Sequence, residues 1–582
     1  MPAQALRETR RSRQRKRIAR RLASPGLLAA IVLLSHLSYL PNGFTWLDHG
    51  DVELGYAIRP LASLSSMLFE PFAHTTFYRP LVSLSLSIDH ALFGEWAPGY
   101  HGTNLLLHVL SSLAVLGFLR SAFRFSEVYS LLAAALFGVH PASSLVVGAV
   151  SYRPEALALL FTLLSLFLLL RGLEKGSNRD IALASLLFLL ALYSKESTLV
   201  WLPGLTALAF ASRLVSKRGR AQAPKAALAF AIPASVYLLL RSLALPRLWQ
   251  LQAPALEASE AIGTRLSALA RLSSYLISPR VPPLSDATPI VRWSDPASLI
   301  VILLAGVAVV LLVRSRFPPL PTFLAGFTVV MLLPAANLLP LPRFTSPHYA
   351  YAPSAGLAFG LACLLEGLRG RSRRGARVAT ILAIAWLAVA SLQTAGHGVR
   401  FRDDWALFEP AVVEDDRFRE GHFYLGSYSF LRGDLEVAES HLLAALAENP
   451  GVIAYVDRLA ALINLAGVYL TEGHPDLAQP LLLEAQAEAP ASQLPSVEYN
   501  LALSYDSQGR PGPVVELLEP ALLVEKPIPE ALLLLAKAYL DLGQIPAAEA
   551  AMRKARPLLS SPSSLSIYEA LQQRLRDEGS DS

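Results

Sequence analysis

Residues 156–170 read ALALLFTLLSLFLLL, and Arg171 follows at once. The stretch carries no charge and sits within an apolar segment, 156–172, close to the roughly 20 residues that a helix needs to cross a bilayer. Backbone N–H and C=O groups in hydrocarbon must satisfy one another, so such a run is read as a transmembrane helix. Similar runs recur at 25–41, 101–119, 128–148, 180–194, 197–213, 225–245, 297–315, 318–340, 349–369 and 377–396. The count is about 11 transmembrane helices. A further segment, 263–279, is amphipathic and reads as interfacial, re-entrant or a twelfth span. Only 16% of the 582 residues are charged and 53% are hydrophobic, against about 25% charged in a soluble chain. The deficit lies almost wholly before residue 397; residues 397–582 have a soluble composition.

The basic residues set an orientation. Arg7 to Arg21 precede the first apolar run, Leu27 to Leu40. That order resembles a signal peptide, but Pro41, Asn42 and Gly43 offer no small-residue cleavage site, so the run is read as a retained first helix. Strict alternation from a cytoplasmic segment 1–24 puts Arg120, Arg124, Arg171–Arg179, Arg213–Lys225, Arg314, Arg316 and Arg369–Arg377 on one side, as the positive-inside rule requires. The net charge of +6 therefore reports membrane orientation and not a nucleic-acid surface. An odd span count places the C-terminal domain outside, with the outer loops 42–100 and 246–296. Cys363 is the only cysteine, which excludes an internal disulfide. Abundant Ala, Leu and Arg with scarce Lys point to a bacterium, in which this topology means an inner-membrane protein with a periplasmic C-terminal domain.

From residue 419 a period of 34–40 residues sets in, the mark of stacked helix pairs. Aligned glycines are Gly433, Gly473, Gly509 and Gly543. Seven residues earlier stand Gly426, Ala466, Ala502 and Ala536; five residues later stand Ala438, Ala478, Val514 and Ala548. Ala445, Ala485, Ala521 and Ala555 follow at twelve, and Pro450 and Pro490 close two repeats. Small residues recur where paired helices must approach. This register resembles four tetratricopeptide repeats, near 419–450, 459–490, 495–526 and 529–560, after a lead-in helix at 397–416. The fold class expected is all-α: a polytopic membrane domain, 25–396, followed by an α-solenoid, 397–582. A solenoid of this kind presents a concave surface to peptides or proteins.

Charged groups collect on the outer face of the membrane part. The first outer loop holds Asp48, His49, Asp51 and Glu53. Then come Arg79, His101, Asn104 and His108, Arg153 and Glu155, Lys195 and Glu196, Arg241, and the stretch Arg343 to Ser354 with His348. Ionisable groups at membrane depth are costly and usually functional. A carboxylate can take a proton from an acceptor hydroxyl, and arginine or lysine can hold a departing phosphate. Both together suit group transfer from a lipid phosphate. His101, Asn104 and His108 lie on one helical face, a spacing for hydrogen bonds between helices.

The order of these motifs is informative: Asp48 in the first loop, Tyr78-Arg79-Pro80-Leu81, Tyr100-His101 with Asn104 and His108, His140-Pro141, Ser151 with Arg153 and Glu155, Ser194-Lys195-Glu196, Asn337, and Tyr349 with Tyr351 and Pro353-Ser354-Ala355-Gly356, ending in the repeats. It resembles the transmembrane and tetratricopeptide-repeat-containing O-mannosyltransferase family, glycosyltransferases of the GT-C type. The resemblance covers nearly the whole chain after residue 44. It implies a multi-span GT-C membrane domain, a sugar donor carried on a polyprenyl phosphate, and a protein hydroxyl or glycan acceptor. The essential carboxylate of the first loop falls on Asp48, the candidate base. Asp51, Glu53, His49, Glu155 and His101 are candidates near the acceptor. Arg153, Lys195, Arg241, Arg79 and His348 are candidates for the donor phosphate. No metal ligand set is assigned. The chain departs from the family pattern at His49, where a second acid is usual, at Ser143 and Leu145 after His-Pro, and at Pro347-His348.

The reading is thus a membrane hexosyltransferase whose repeats hold the acceptor or a partner. The alternative is a non-catalytic membrane scaffold that recruits extracytoplasmic proteins. A transporter is disfavoured because no broken helices with paired mid-membrane charges are evident.

Overall fold

The computed structural model describes residues 24–580, except 74, 212–213, 246–255, 297, 300–301, 304–318, 339–340, 492 and 525–526. The basic residues before 24 and most of the expected span at 297–315 lie outside this set. The described chain is helical almost throughout, and its residues cluster into two compact units. The first runs to Asp415 and includes Pro450–Ala454; the second takes Asp416–Asn449 and Tyr455 onward.

The main helices of the first unit are α1 (Ser24–Tyr39), α2 (Pro80–Phe93), α3 (Ala97–Ser121), α4 (Glu127–Gly138), α5 (Arg153–Lys175), α6 (Asn178–Leu192), α7 (Thr198–Ala211), α8 (Ala223–Ala244), α9 (Ala258–Ile277), α10 (Pro319–Leu332), α11 (Tyr351–Arg371), α12 (Arg373–His397) and α13 (Asp404–Glu414). Five helical stretches among the described residues are long and apolar enough to cross a membrane: Ala97–Ser121, Val150–Lys175, Ala223–Ala244, Pro347–Arg371 and Arg373–Arg402. α1, α2 and α7 are apolar but shorter. α6 has 15 residues, about 22 Å at 1.5 Å per residue, less than a bilayer core of about 30 Å. The unit is a helical, multi-pass membrane domain.

The expected continuous span at 128–148 is broken. α4 stops at Gly138, and the chain resumes at Pro141–Gly148, bent by 46°. Pro141 lacks an N–H and cannot continue the ladder. His140 fills the gap: its Nδ1 accepts from the Ala142 N–H at 3.1 Å and its Nε2 lies 3.0 Å from the Leu276 carbonyl. The amphipathic segment at 263–279 belongs to α9, whose Leu272, Tyr275 and Leu276 are buried with Ala142, Ala335 and Ala350. Arg271 ties α9 to the loop after it through the carbonyls of Ser285 (2.8 Å) and Ala287 (2.7 Å). The only β-structure among the described residues is a short antiparallel pair, Thr288–Pro289 with Val452–Ile453.

The second unit is a row of helix pairs: Arg419–Arg432 with Leu435–Leu446, Arg458–Thr471 with Pro475–Glu488, Leu494–Ser507 with Pro511–Leu518, and Pro529–Asp541 with Ile545–Ala555. Helix Pro562–Ser580 follows. Gly433, Gly473, Gly509 and Gly543 all stand at positive φ, where glycine ends a helix without a Cβ clash. Ala438, Ala478, Ala466, Ala502 and Ala536 are fully buried between paired helices. Each of these four glycines falls between the two helices of a pair.

Close approach makes one glycine of the membrane unit indispensable. A Cβ on Gly263 in α9 would collide with the backbone of Val291 and Arg292, whereas Gly360 in α11 has nothing within 4 Å. Gly263→Ala should lower stability by about 1–3 kcal/mol, the usual cost of overpacking. Gly360→Ala should leave the melting temperature of the detergent-solubilised full chain unchanged or raise it.

Candidate active site

The first outer loop is built around an unusual backbone. Trp46 is a bulky residue at φ +60°, a conformation that costs energy unless its surroundings enforce it. Here its N–H donates to Asp404 Oδ1 at 2.8 Å. Its buried ring packs edge-on against Tyr152 and Phe408, and the Arg343 guanidinium lies 5.3 Å over its face. The turn delivers Asp48 to the start of α5. Asp48 is fully buried, and its two oxygens accept the N–H groups of Val150 (2.9 Å) and Ser151 (2.8 Å). Burial pushes its carboxyl up, while these amides and nearby His101 pull it down.

His49 bridges two carboxylates. Its Nδ1 lies 2.5 Å from Glu53 and its Nε2 lies 3.0 Å from Asp404. Partial burial opposes a charge on the ring, but Asp404 and Glu53 outweigh it and raise His49 to about 9. Asp51 is partly buried, and desolvation, reinforced by the charge of Asp48, pushes it up to about 7. Arg79 acts on it in the opposite sense.

The expected phosphate ligands fall into two groups. Arg153, at the first turn of α5, is wholly buried and engaged along its length. It pairs with Asp89 at 2.6 Å and donates to Asn104 Oδ1 (2.7 Å), Ser85 Oγ (2.9 Å) and the Tyr100 carbonyl (3.3 Å). Thr103 completes this knot by donating to Asp89 at 2.9 Å. Arg153 thus locks α5 to α2 and α3. Asn104 also donates to the carbonyls of Val146 and Ala149, and His108 bridges Gly138 O and the Tyr351 hydroxyl. His101 reaches the Gly43 carbonyl at 3.0 Å. The three residues of the helical face therefore stitch helices and loops together.

The other group is one run of alternating charge. Arg79 grips Glu196 with two bonds, 2.8 and 3.2 Å, and stacks on Phe77 at 4.1 Å. Burial alone would raise Glu196, but Arg79 holds it down at about 2. Lys195 pairs with Glu155, and His348 Nε2 stands 3.7 Å from the same Glu155 oxygen. The His348 ring packs on Tyr152 and Tyr349, and Ser346 Oγ lies 2.6 Å from its Nδ1. Arg241 donates to the Thr76 carbonyl at 3.3 Å. Among the described residues no cluster of three or more His, Cys, Asp or Glu side chains is arranged to hold a metal.

The fold thus joins Arg79, Glu196, Lys195, Glu155 and His348, and sets Asp51 within the field of Arg79. Three residues were missed in the sequence reading. Asp89 had a signal, as a lone acid in the apolar run 80–93. Trp46 and Asp404 had none, because one depends on a left-handed turn and the other is 355 residues from its partner His49.

Residues 74–240 match the family model described as dolichyl-phosphate-mannose-protein mannosyltransferase. Among curated proteins, the chain is 28% identical over 183 residues to the Drosophila melanogaster protein O-mannosyl-transferase Tmtc1, covering 29% of this chain and 21% of that one. It is 34% identical over 116 residues to the Mus musculus protein O-mannosyl-transferase TMTC4, covering 18% of this chain and 16% of that one. The match therefore spans about a fifth of these relatives' own length. A likeness to the yeast Tom70 crystal structure covers 80% of this chain and 96% of that one, at 13% identity and a TM-score of 0.19, too low to bear on the fold. The resemblance read from the motifs is thus found again over the segment that holds Arg79, Asp89, Arg153, Glu155, Lys195 and Glu196. The protein is a multi-pass membrane protein with a tetratricopeptide domain and similarity to protein mannosyltransferases.

Two measurements probe this geometry. The folded value of His49 lies above its ordinary 6.5, so its stabilising contribution is complete below pH 6.5 and is lost as pH rises through about 9. The difference in melting temperature between wild type and His49→Gln should therefore be widest near pH 6 and close above pH 9. Arg153→Gln should strand Asp89 as a buried charge and cost about 3–5 kcal/mol, read as loss of folded protein or a lowered melting temperature.

Proposed function

We propose that the protein is a membrane glycosyltransferase that moves a sugar from a polyprenyl-phosphate carrier to an extracytoplasmic acceptor, a protein hydroxyl in the first instance. The observation that carries this reading is the coincidence of the family match at 74–240 with the buried run of alternating charge from Arg79 to Glu155. In the proposed reaction the acceptor oxygen attacks the anomeric carbon, the bond from that carbon to the phosphate oxygen breaks, and the lipid phosphate leaves. Lys195, Arg79, Arg241 and His348 are the groups offered to that phosphate, with Arg153 holding α5 in place beneath them.

The base belongs to the first loop. Asp48, expected from the resemblance, has both oxygens bonded to amides and no exposure. Asp51 is partly exposed and titrates near 7, the range that suits proton transfer at neutral pH. In the proposed mechanism Asp51 accepts the proton and Asp48 positions the loop. The repeats hold the acceptor or a partner on the outer, periplasmic side of a bacterial inner membrane. The scaffold reading draws on one observation: Arg79, Lys195 and Arg153 are all ion-paired.

Asp51→Asn should reduce sugar transfer from a polyprenyl-phosphate donor by about 10²–10⁴-fold with the fold unchanged, and wild-type transfer should rise with pH through about 7. Asp48→Asn should lower the melting temperature along with activity. Full activity in Asp51→Asn, with loss in a stably folded Asp48→Asn, would return the base to Asp48. A wild type that transfers no sugar from any polyprenyl phosphate would favour the scaffold.

A further inference from the structure

Two spaces in the membrane unit differ in chemistry, one of about 410 Å³ and one near 330 Å³ where α12 ends. The larger space is an apolar groove between α3 and α5, lined by side chains such as Leu110 and Phe167. The smaller is walled by the loop after α9, the end of α12 and one side of α13, and it lies in the lower range of small-molecule pockets, roughly 300–1,000 Å³.

Its chemistry is specific. Arg280 and Arg400 stand on its wall with Glu414, Gln393 and His397. Among the described residues Arg280, Arg400 and Glu414 form no ion pair, unlike Arg79, Arg153 and Lys195. His397 is 9% exposed, and its Nδ1 has no hydrogen-bond partner in the protein. Two free guanidiniums suit a phosphate, which arginine binds through paired N–H donors. A free carboxylate beside them suits a primary ammonium.

The surroundings indicate what carries these groups. α12 is a membrane-spanning candidate with little of its apolar window buried. Val378, Ile381, Val389 and Leu392 are exposed and recur at spacings that share one helical face. This stripe is about 21 Å long at 1.5 Å per residue, and it ends at Leu392, itself on the cavity wall. An apolar track that runs into a pocket with both charge signs fits a lipid, with its tail on the track and its headgroup in the pocket.

We propose that this cavity binds the headgroup of a phospholipid bearing both a phosphodiester and a primary ammonium, with Arg280 and Arg400 on the phosphate and Glu414 on the ammonium. The site is separate from the charge cluster around Glu155 and does not depend on glycosyl transfer.

The test is native mass spectrometry of the delipidated full-length protein, titrated with phosphatidylethanolamine, phosphatidylglycerol, phosphatidylcholine or inorganic phosphate. Phosphatidylethanolamine should bind best. The double variant Arg280→Gln/Arg400→Gln should weaken it by about tenfold or more, with two charge-assisted contacts removed. Glu414→Gln leaves both cations in place and should erase the preference for phosphatidylethanolamine over phosphatidylglycerol, which keeps the test open if the double variant misfolds. Unchanged binding in a folded double variant would overturn the proposal. So would a wild type that binds the three lipids equally, or displacement of the lipid by inorganic phosphate at matched concentration, the mark of a free-anion site.

Discussion

The Asp48 carboxylate meets the amide N–H groups of Val150 and Ser151 at the point where α5 begins. Those amides are among the donors that a helix start leaves unsatisfied, and a carboxylate there also meets the positive end of the helix dipole. Burying either partner alone would be costly. The bond therefore couples the first loop to α5 across more than a hundred residues, and the rest of the face is arranged around it. Trp46 accepts a left-handed backbone, Asp404 takes its N–H, and His49 closes on Asp404 from the other side. One turn further along, Arg153 is neutralised by Asp89 and its remaining donors find oxygens on α2 and α3.

The same rule of obligatory pairing explains the run of charge beside it. Arg79 with Glu196 and Lys195 with Glu155 are buried pairs, and a buried pair contributes little net stability against its desolvation while a broken one is strongly unfavourable. Asp51 lies at the edge of this field, raised by burial and Asp48 and lowered by Arg79. Its proton affinity is thus set by Asp48 within its own loop and by Arg79 from a separate segment of the chain.

Much of the architecture was legible in the residues. Apolar runs marked the membrane helices, and the recurrence of Gly433, Gly473, Gly509 and Gly543 marked the repeats, whose glycines all take positive φ. His101, Asn104 and His108 shared a helical face and do bond across helices and loops. The break at His140-Pro141 was not foreseen within the run 128–148, because hydropathy averages over a proline that ends the hydrogen-bond ladder. Nor did hydropathy separate spans from shorter apolar helices such as α6 and α7, since buried core and lipid-facing residues look alike in composition.

The helical membrane class, the helix-pair recurrence and the set of chemically able residues were written in the residues alone, because periodicity and apolar run length are local properties of the chain. Which of those residues are engaged and which are open emerged with the packed fold. Asp48 became a buried anchor, Arg153 a lock between helices, and Asp51 a partly exposed acid near neutrality. The physical reason is that burial and pairing depend on the partner that arrives from elsewhere in the chain, as Asp404 reaches His49 and Asp89 reaches Arg153.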